Sequence, residues 1–177
     1  MDLPSPYIKV NMPNLYSPEK KTVGDLLSMT SPPILVPEWQ RSYSWKGSHV
    51  ATFWKDLKAF DATYPGANIN NQEYFLGSVV LVDNNVSKLL LDGQQRLATS
   101  AILISVIRDY LARFSQDSAT RIAVRYLTDF DDAANRTEYK LTLNRYDRNF
   151  FQREVLENRN GGYVPMDPKL ESHRLIR

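Results

Sequence analysis

The chain has 177 residues, 42% of them hydrophobic and 11% aromatic, enough to bury a core without disulfides or a structural metal. It has no cysteine, which excludes thiolate zinc sites, iron–sulfur clusters, thiol nucleophiles and a disulfide scaffold; its two histidines, His49 and His173, lie far apart in sequence and give little support to a histidine metal site or a Ser/His/Asp triad. The formal charge of +2, from 22 basic and 20 acidic residues, does not demand a nucleic-acid partner, and the basic residues of the second half are interleaved with acids, as on a solvated face.

Met1 to Lys9 carries Pro4 and Pro6 and lacks the apolar run of a signal peptide. Val23, Leu26 and Leu27 fall at helical spacing within 22–29, and Pro32-Pro33 stops that helix. Ile34-Leu35-Val36 reads as a short strand. Ser48 is a good N-cap for a helix over 50–63, with Val50, Phe53, Trp54, Leu57 and Phe60 on one face, ended by Tyr64-Pro65-Gly66; a polar loop follows over 67–73. Strands are expected at 74–82 and 86–91 around an Asp83-Asn84-Asn85 turn, the second covered on both faces because Leu89-Leu90-Leu91 is continuous. From Gln94 the period becomes helical, with Leu97, Ala101, Ile104, Ile107, Leu111 and Phe114 as the inward stripe. Residues 121–128 fit helix or strand, 139–143 alternate as a strand, Asp147 can cap a helix over 148–158, Asn160-Gly161-Gly162 is a loop, and a last helix begins near Leu170. This is an α+β pattern: a small mixed sheet packed with helices, more helical after about residue 146. The longest apolar stretch, 101–107, is too short to span a bilayer, so a soluble, cytoplasmic protein without membrane contact is expected.

The segment with the most chemistry is Asp92-Gly93-Gln94-Gln95-Arg96, between a strand and a helix. A helix N-terminus presents unpaired N–H groups and a partial positive charge. Gly93 allows close backbone approach, Arg96 can fork onto phosphate oxygens, Asp92 can hold Mg²⁺ or activate water, and Gln94 and Gln95 can orient water or a base. Asp92 and Gln95 also have the spacing of a capping box, with Arg96 then only an ion-pair partner, and both readings stand. A second cluster, Gln40-Arg41-Ser42-Tyr43-Ser44-Trp45, offers a phosphate contact from Arg41 and a stacking ring from Tyr43 or Trp45, although Trp39 and Trp45 read better as core anchors. In Asn144-Arg145-Tyr146-Asp147, Asp147 reads as a helix cap rather than a catalytic acid.

Val36-Pro37-Glu38-Trp39-Gln40-Arg41-Ser42-Tyr43-Ser44-Trp45, Tyr74-Phe75-Leu76-Gly77-Ser78-Val79-Val80 and Asp92-Gly93-Gln94-Gln95-Arg96-Leu97-Ala98-Thr99, in that order, resemble the GmrSD restriction endonuclease N-terminal domain family over about residues 20–177. Leu141-Thr142-Leu143 with Asp147 and Phe150 fits the family's later pattern. Ser42 stands where the family often has Pro, and Ala98 where it often has Thr. The resemblance implies a ParB/sulfiredoxin-like fold in which Gly93 to Arg96 is similar to a Gly-x-x-Arg phosphate-binding turn. It implies a leader at 1–15, a ParB-like core at 16–130, and at 131–177 an extension that starts a helical region of a longer protein. It further implies an NTP-binding and NTP-hydrolysing module of an anti-phage or modified-DNA restriction system: Gln40, Arg41, Tyr43, Gly93 and Arg96 on the nucleotide, Asp92, Gln94 and Gln95 in catalysis, Mg²⁺ on Asp92, and DNA engaged through the full-length protein. The alternatives are a ParB-like DNA-binding or nuclease module and a non-catalytic interaction domain. The sequence is silent on oligomeric state.

Overall fold

A computed structural model of the protein describes residues 18–28, 32–63, 73–84, 86–132, 135–157 and 163–177. The expected leader, the Tyr64–Gly66 helix stop, most of the 67–73 loop and the Asn160–Gly162 loop lie outside these residues. Among the described residues the architecture is α+β, with six α-helices and a four-stranded mixed sheet. In chain order the elements are α1 (Val23–Ser28), β1 (Ile34–Leu35), α2 (Gly47–Thr63), β2 (Val80–Asp83), β3 (Lys88–Asp92), α3 (Gln94–Ala112), α4 (Gln116–Tyr126), β4 (Thr128–Asp131), β5 (Arg136–Tyr139), β6 (Leu141–Thr142), α5 (Arg148–Phe151) and α6 (Glu171–Ile176). A π-helical turn, Gln152–Leu156, continues α5.

The sheet order is β2-β3-β1-β6. β1 runs parallel to both neighbours, with Ile34 opposite Lys88 and Leu141, while β2 returns antiparallel on β3. Backbone bonds just outside the short strands extend the pairing: Lys88 N donates to Pro33 O, Ile34 N to Lys140 O, and Val36 N to Thr142 O. β4 and β5 form a separate hairpin. The alternation expected through 139–143 is therefore split at Lys140 between two sheets.

β2 begins at Val80 rather than Tyr74, and the reason is local. Gly77 has φ +115°, which no strand residue adopts, and the Ser78 carbonyl accepts from the Arg96 guanidinium instead of a strand neighbour. β3 is not covered on both faces: Leu90 is buried, whereas Leu91, on the opposite face, is exposed.

The core joins β1, β3 and β6 to α1, the first half of α3, and the α5–π–α6 region, with Leu27, Ile34, Leu90, Leu97, Leu141, Phe150, Phe151 and Leu156 as its tightest members. Thr22 and Asp25 close α1 as a reciprocal capping box. On α2 only Phe53 is fully buried and Trp54 is exposed, so its apolar stripe is narrower than its sequence implies. α2 starts at Gly47, which puts Ser48 inside the first turn; the ring of His49 reaches back to accept from Lys46 N and takes the capping part. α3 buries Leu97, Ala98, Ala101, Ser105 and Arg108, while Ile107 and Phe114 face outward. α4 resolves the ambiguous stretch into helix up to Tyr126, and β4 begins two residues later. Among the described residues no helix is long and apolar enough to cross a membrane.

Candidate functional site

The turn after β3 folds as its sequence suggests, but not as a capping box. Gly93 occupies the N-cap position of α3 at φ 91°, ψ 5°, a left-handed conformation that favours glycine, and no side chain caps the helix. A Cβ built on Gly93 would lie 2.9 Å from Val79 Cγ2 and 3.3 Å from the Ser78 carbonyl. The missing side chain thus admits the Ser78–Val79 backbone. The first helical hydrogen bond is Leu97 N to Gly93 O, and among the described residues the N–H groups of Gln94, Gln95 and Arg96 have no acceptor. The tip of α3 is therefore an uncapped, partly positive helix end.

Each side chain of the turn goes somewhere different. Asp92 is 64% exposed and reaches Arg96 Nη2 at 3.4 Å, a loose contact. Gln94 donates to Gln40 Oε1, and Gln40 Nε2 donates to Leu91 O at 2.9 Å. Gln95 is buried and turned away from solvent: its Oε1 accepts from Ser44 N at 2.7 Å and its Nε2 donates to Ser42 O. It holds the 42–44 loop to α3, and both ends of its amide are used. Arg96 donates from Nη2 to Ser78 O at 2.5 Å, lies over Gly77, and keeps a buried Nε without a partner.

The second cluster is a strap anchored at many points. Asn144 Nδ2 donates to Gln40 O at 2.9 Å, and the Asp147 carboxylate accepts from Tyr43 N at 2.7 Å. The Tyr43 ring is buried and its hydroxyl shares a hydrogen bond with Thr99. Burial pushes that hydroxyl's pKa up, an effect partly opposed by Thr99. Tyr43 thus offers no stacking surface; Trp45 packs against His49 and Phe53 at the edge of the core, and Trp39, 74% exposed, anchors nothing. Arg41 is exposed, and its guanidinium makes no hydrogen bond or ion pair among the described residues.

Asp147 precedes α5 but does not cap it. Besides Tyr43 N, its carboxylate accepts from Ser172 Oγ at 2.5 Å, with His173 Nε2 3.9 Å away, so it ties the Arg41 strap to α6. Sequence spacing suggested a cap because a polar residue before a helix normally serves its own helix; here the stronger demand is the buried N–H of Tyr43, 104 positions away.

Two cavities flank the first turn of α3. One, of about 10 Å³, has room for a single water and is lined by Arg41, Gln94, Gln95, Asn144 and Asp147. The other, of about 340 Å³, lies against α2 and the 74–76 segment and is lined by Trp45, His49, Asp56, Tyr74 and Arg96. Arg41 and Arg96, expected to converge on one pocket, line different cavities on either side of the turn. Sequence reading missed the larger cleft. Its polar members on α2 are hidden inside an amphipathic pattern, although the spacing of His49, Thr52 and Asp56 marks one helical face.

Fold and turn together define an α+β domain built around a strand, a left-handed glycine and an uncapped helix carrying arginine in its first turn. The sequence profile of the GmrSD restriction endonuclease, N-terminal domain, matches residues 23–171, and the chain belongs to that family, which links it to restriction systems. No curated protein matches it.

Proposed function

We propose that this domain binds a nucleoside triphosphate at the tip of α3 and hydrolyses it as part of a restriction system. The observation that carries the reading is the uncapped start of α3, with three N–H groups that have no acceptor among the described residues and one arginine on each side. Such an end attracts phosphate through its N–H groups and dipole, and a triphosphate needs more than one cation. The phosphate chain would lie across the tip between Arg96 and Arg41. Family membership and the exposed Arg41 guanidinium, which makes no hydrogen bond or ion pair among the described residues, support this.

Among the described residues no group of three metal-ligating side chains exists. Asp92 is nonetheless an exposed carboxylate at the turn, and Mg²⁺ commonly takes one or two carboxylates and completes its shell with substrate phosphates and water. Asp92 fits that minimal role, and the ion would neutralise phosphate charge. Gln94 would orient water, and Gln40 would hold Gln94. Gln95 would act indirectly by fixing the strap that carries Arg41. DNA recognition and cleavage belong, on this reading, to the longer restriction protein.

Titration with nucleoside triphosphates and with inorganic tripolyphosphate, in Mg²⁺ and at fixed salt, tests this. Arg41→Ala and Arg96→Ala should each lose one charge-assisted contact, about 1.5–3 kcal/mol, or about ten- to a hundredfold in affinity. Asp92→Asn should bind but release less phosphate. Absence of binding by every triphosphate and by tripolyphosphate at millimolar concentration overturns the proposal.

A further inference from the structure

The 340 Å³ cleft has the size of a small-molecule site, for which about 300–1,000 Å³ is usual. Its walls are aromatic, from Trp45, Phe53 and Tyr74, and its polar groups are few and placed at intervals: His49 and Asp56, two turns apart on one face of α2, and Arg96 at the side nearest the α3 tip. Apolar walls with a few converging polar groups favour a flat heteroaromatic ring with a defined hydrogen-bonding edge.

The character of each polar group can be read from its partners. Asp56 Oδ2 accepts from the Tyr74 hydroxyl at 3.1 Å, and Asp56 makes no other hydrogen bond among the described residues, so acceptor capacity remains. Burial, then the Asp56 carboxylate, pushes the Tyr74 pKa up and keeps that hydroxyl a donor. His49 Nδ1 accepts from Lys46 N at 3.1 Å, which leaves the proton of the neutral ring on Nε2. The cleft thus offers a carboxylate acceptor and an imidazole N–H donor. Arg96 adds a cation whose buried Nε is unsatisfied, a cost relieved if the guanidinium shifts onto an incoming acceptor.

We propose that this cleft seats the base of the nucleotide and favours guanine. The proposal rests on the preceding reading, with the triphosphate at the α3 tip and Arg96 between the two ends of the ligand. Guanine presents two adjacent donors, N1–H and the 2-amino group, to a carboxylate, and a carbonyl oxygen to the imidazole N–H. Adenine meets Asp56 with a ring nitrogen acceptor beside its amino donor, and uracil with one donor between two carbonyls. Asp56 is half-buried and His49 exposed in this cleft, so an analogue that leaves them unpaired is disfavoured to the extent that the bound ring shuts water out from them.

The test compares GTP, ATP, CTP, UTP and tripolyphosphate on the full chain, followed by tryptophan fluorescence because Trp45 lines the cleft. GTP should bind at least tenfold tighter than ATP. Asp56→Asn should lower GTP affinity at least tenfold, leave tripolyphosphate unchanged, and raise affinity for xanthosine triphosphate, whose 2-carbonyl accepts from the new amide. Equal affinity for all four nucleotides overturns the guanine seat while leaving phosphate binding intact; the wild-type comparison alone decides this. Equal losses for GTP and tripolyphosphate in Asp56→Asn would likewise overturn it. Failure of every ligand, tripolyphosphate included, removes both proposals.

Discussion

The two ends of α3 treat an arginine in opposite ways. Arg96, in the first turn, keeps 28% of its side chain exposed, has one good acceptor in Ser78 O, and leaves Nε unpaired. Arg108, three turns on, is fully buried. Its Nε donates to Asp109 at 2.8 Å and its Nη1 to Leu156 O at 2.8 Å; Nη2 sits 2.8 Å from the same Asp109 oxygen, close enough for charge pairing though off the hydrogen-bond axis. The same residue type is scaffold where its donors are spent on the core and available where they are not. Buried polar groups elsewhere behave like Arg108: Glu154 accepts from the Tyr163 hydroxyl and from Met166 N, and Asp147 from Tyr43 N and Ser172 Oγ. Unpartnered buried nitrogens remain on Arg96 (Nε), Arg108 (Nη2) and His173 (Nδ1), and of these only Arg96 stands in the first turn of α3, beside backbone N–H groups that also lack acceptors among the described residues.

The largest expected effect follows from Arg108. Arg108→Ala removes a fully buried side chain and strands the Leu156 carbonyl at the end of the π-helical turn. Breaking such a pair costs about 3–5 kcal/mol, and since Asp109 can rehydrate the loss should fall near the lower figure. For a chain of this length that lowers Tm by about 6–12 °C. Urea unfolding that finds less than about 1 kcal/mol would erase the contrast between the two arginines.

Asp147→Ala comes next. It leaves the buried Tyr43 N–H without an acceptor and loses the Ser172 contact, about 2–3 kcal/mol. It should also loosen the strap that carries Arg41. Nucleotide affinity should therefore fall even at temperatures where the variant is fully folded. Lost stability with untouched affinity would mean that the strap's position is irrelevant to binding.

Legibility in the sequence follows the same division. The strand, glycine and helix at 88–112 were readable because a short continuous apolar run, Leu89-Leu90-Leu91, gives way to period 3.6 across a glycine that the backbone requires at φ 91°. What the turn's side chains do was not readable. Gln95 reaches a loop 51 positions back, Arg96 a carbonyl 18 positions back, and Asp147 an N–H 104 positions back. Local spacing suggested caps for Asp92–Gln95 and for Asp147 because capping is the local use of such residues, and for Gln95 and Asp147 long-range partners outcompeted it. Tyr43 and Trp39 exchanged places for a similar reason. A tyrosine can be buried when its hydroxyl finds a partner, here Thr99, whereas Trp39 at the bend stays largely exposed.

Gly93→Ala should cost about 1–2 kcal/mol for the left-handed backbone alone. The added methyl also meets Val79 Cγ2 at 2.9 Å. The double variant with Val79→Ala should recover the steric part and keep the backbone part. If the double variant is no better than the single, the tight approach of 78–79 is not what selects glycine.

The smallest stability change belongs to Arg96→Ala, and its smallness is informative. The variant loses the hydrogen bond to Ser78 O and the loose contact with Asp92. A charged donor to a carbonyl would ordinarily be worth about 1.5–3 kcal/mol, but a partly exposed site lets water replace much of it. The long, exposed ion pair adds at most a few tenths of a kcal/mol. Two gains oppose these losses. The unsatisfied Nε disappears, and a cation leaves the positive end of a helix, which is worth about 0.3–1 kcal/mol. The net loss should stay below about 1 kcal/mol, a Tm shift of no more than about 2–4 °C, while nucleotide affinity falls at least tenfold. Melting and binding measured on the same preparations decide the matter. A Tm drop equal to that of Arg108→Ala, with binding unchanged, would make Arg96 the clamp of Gly77 and Ser78 and nothing more.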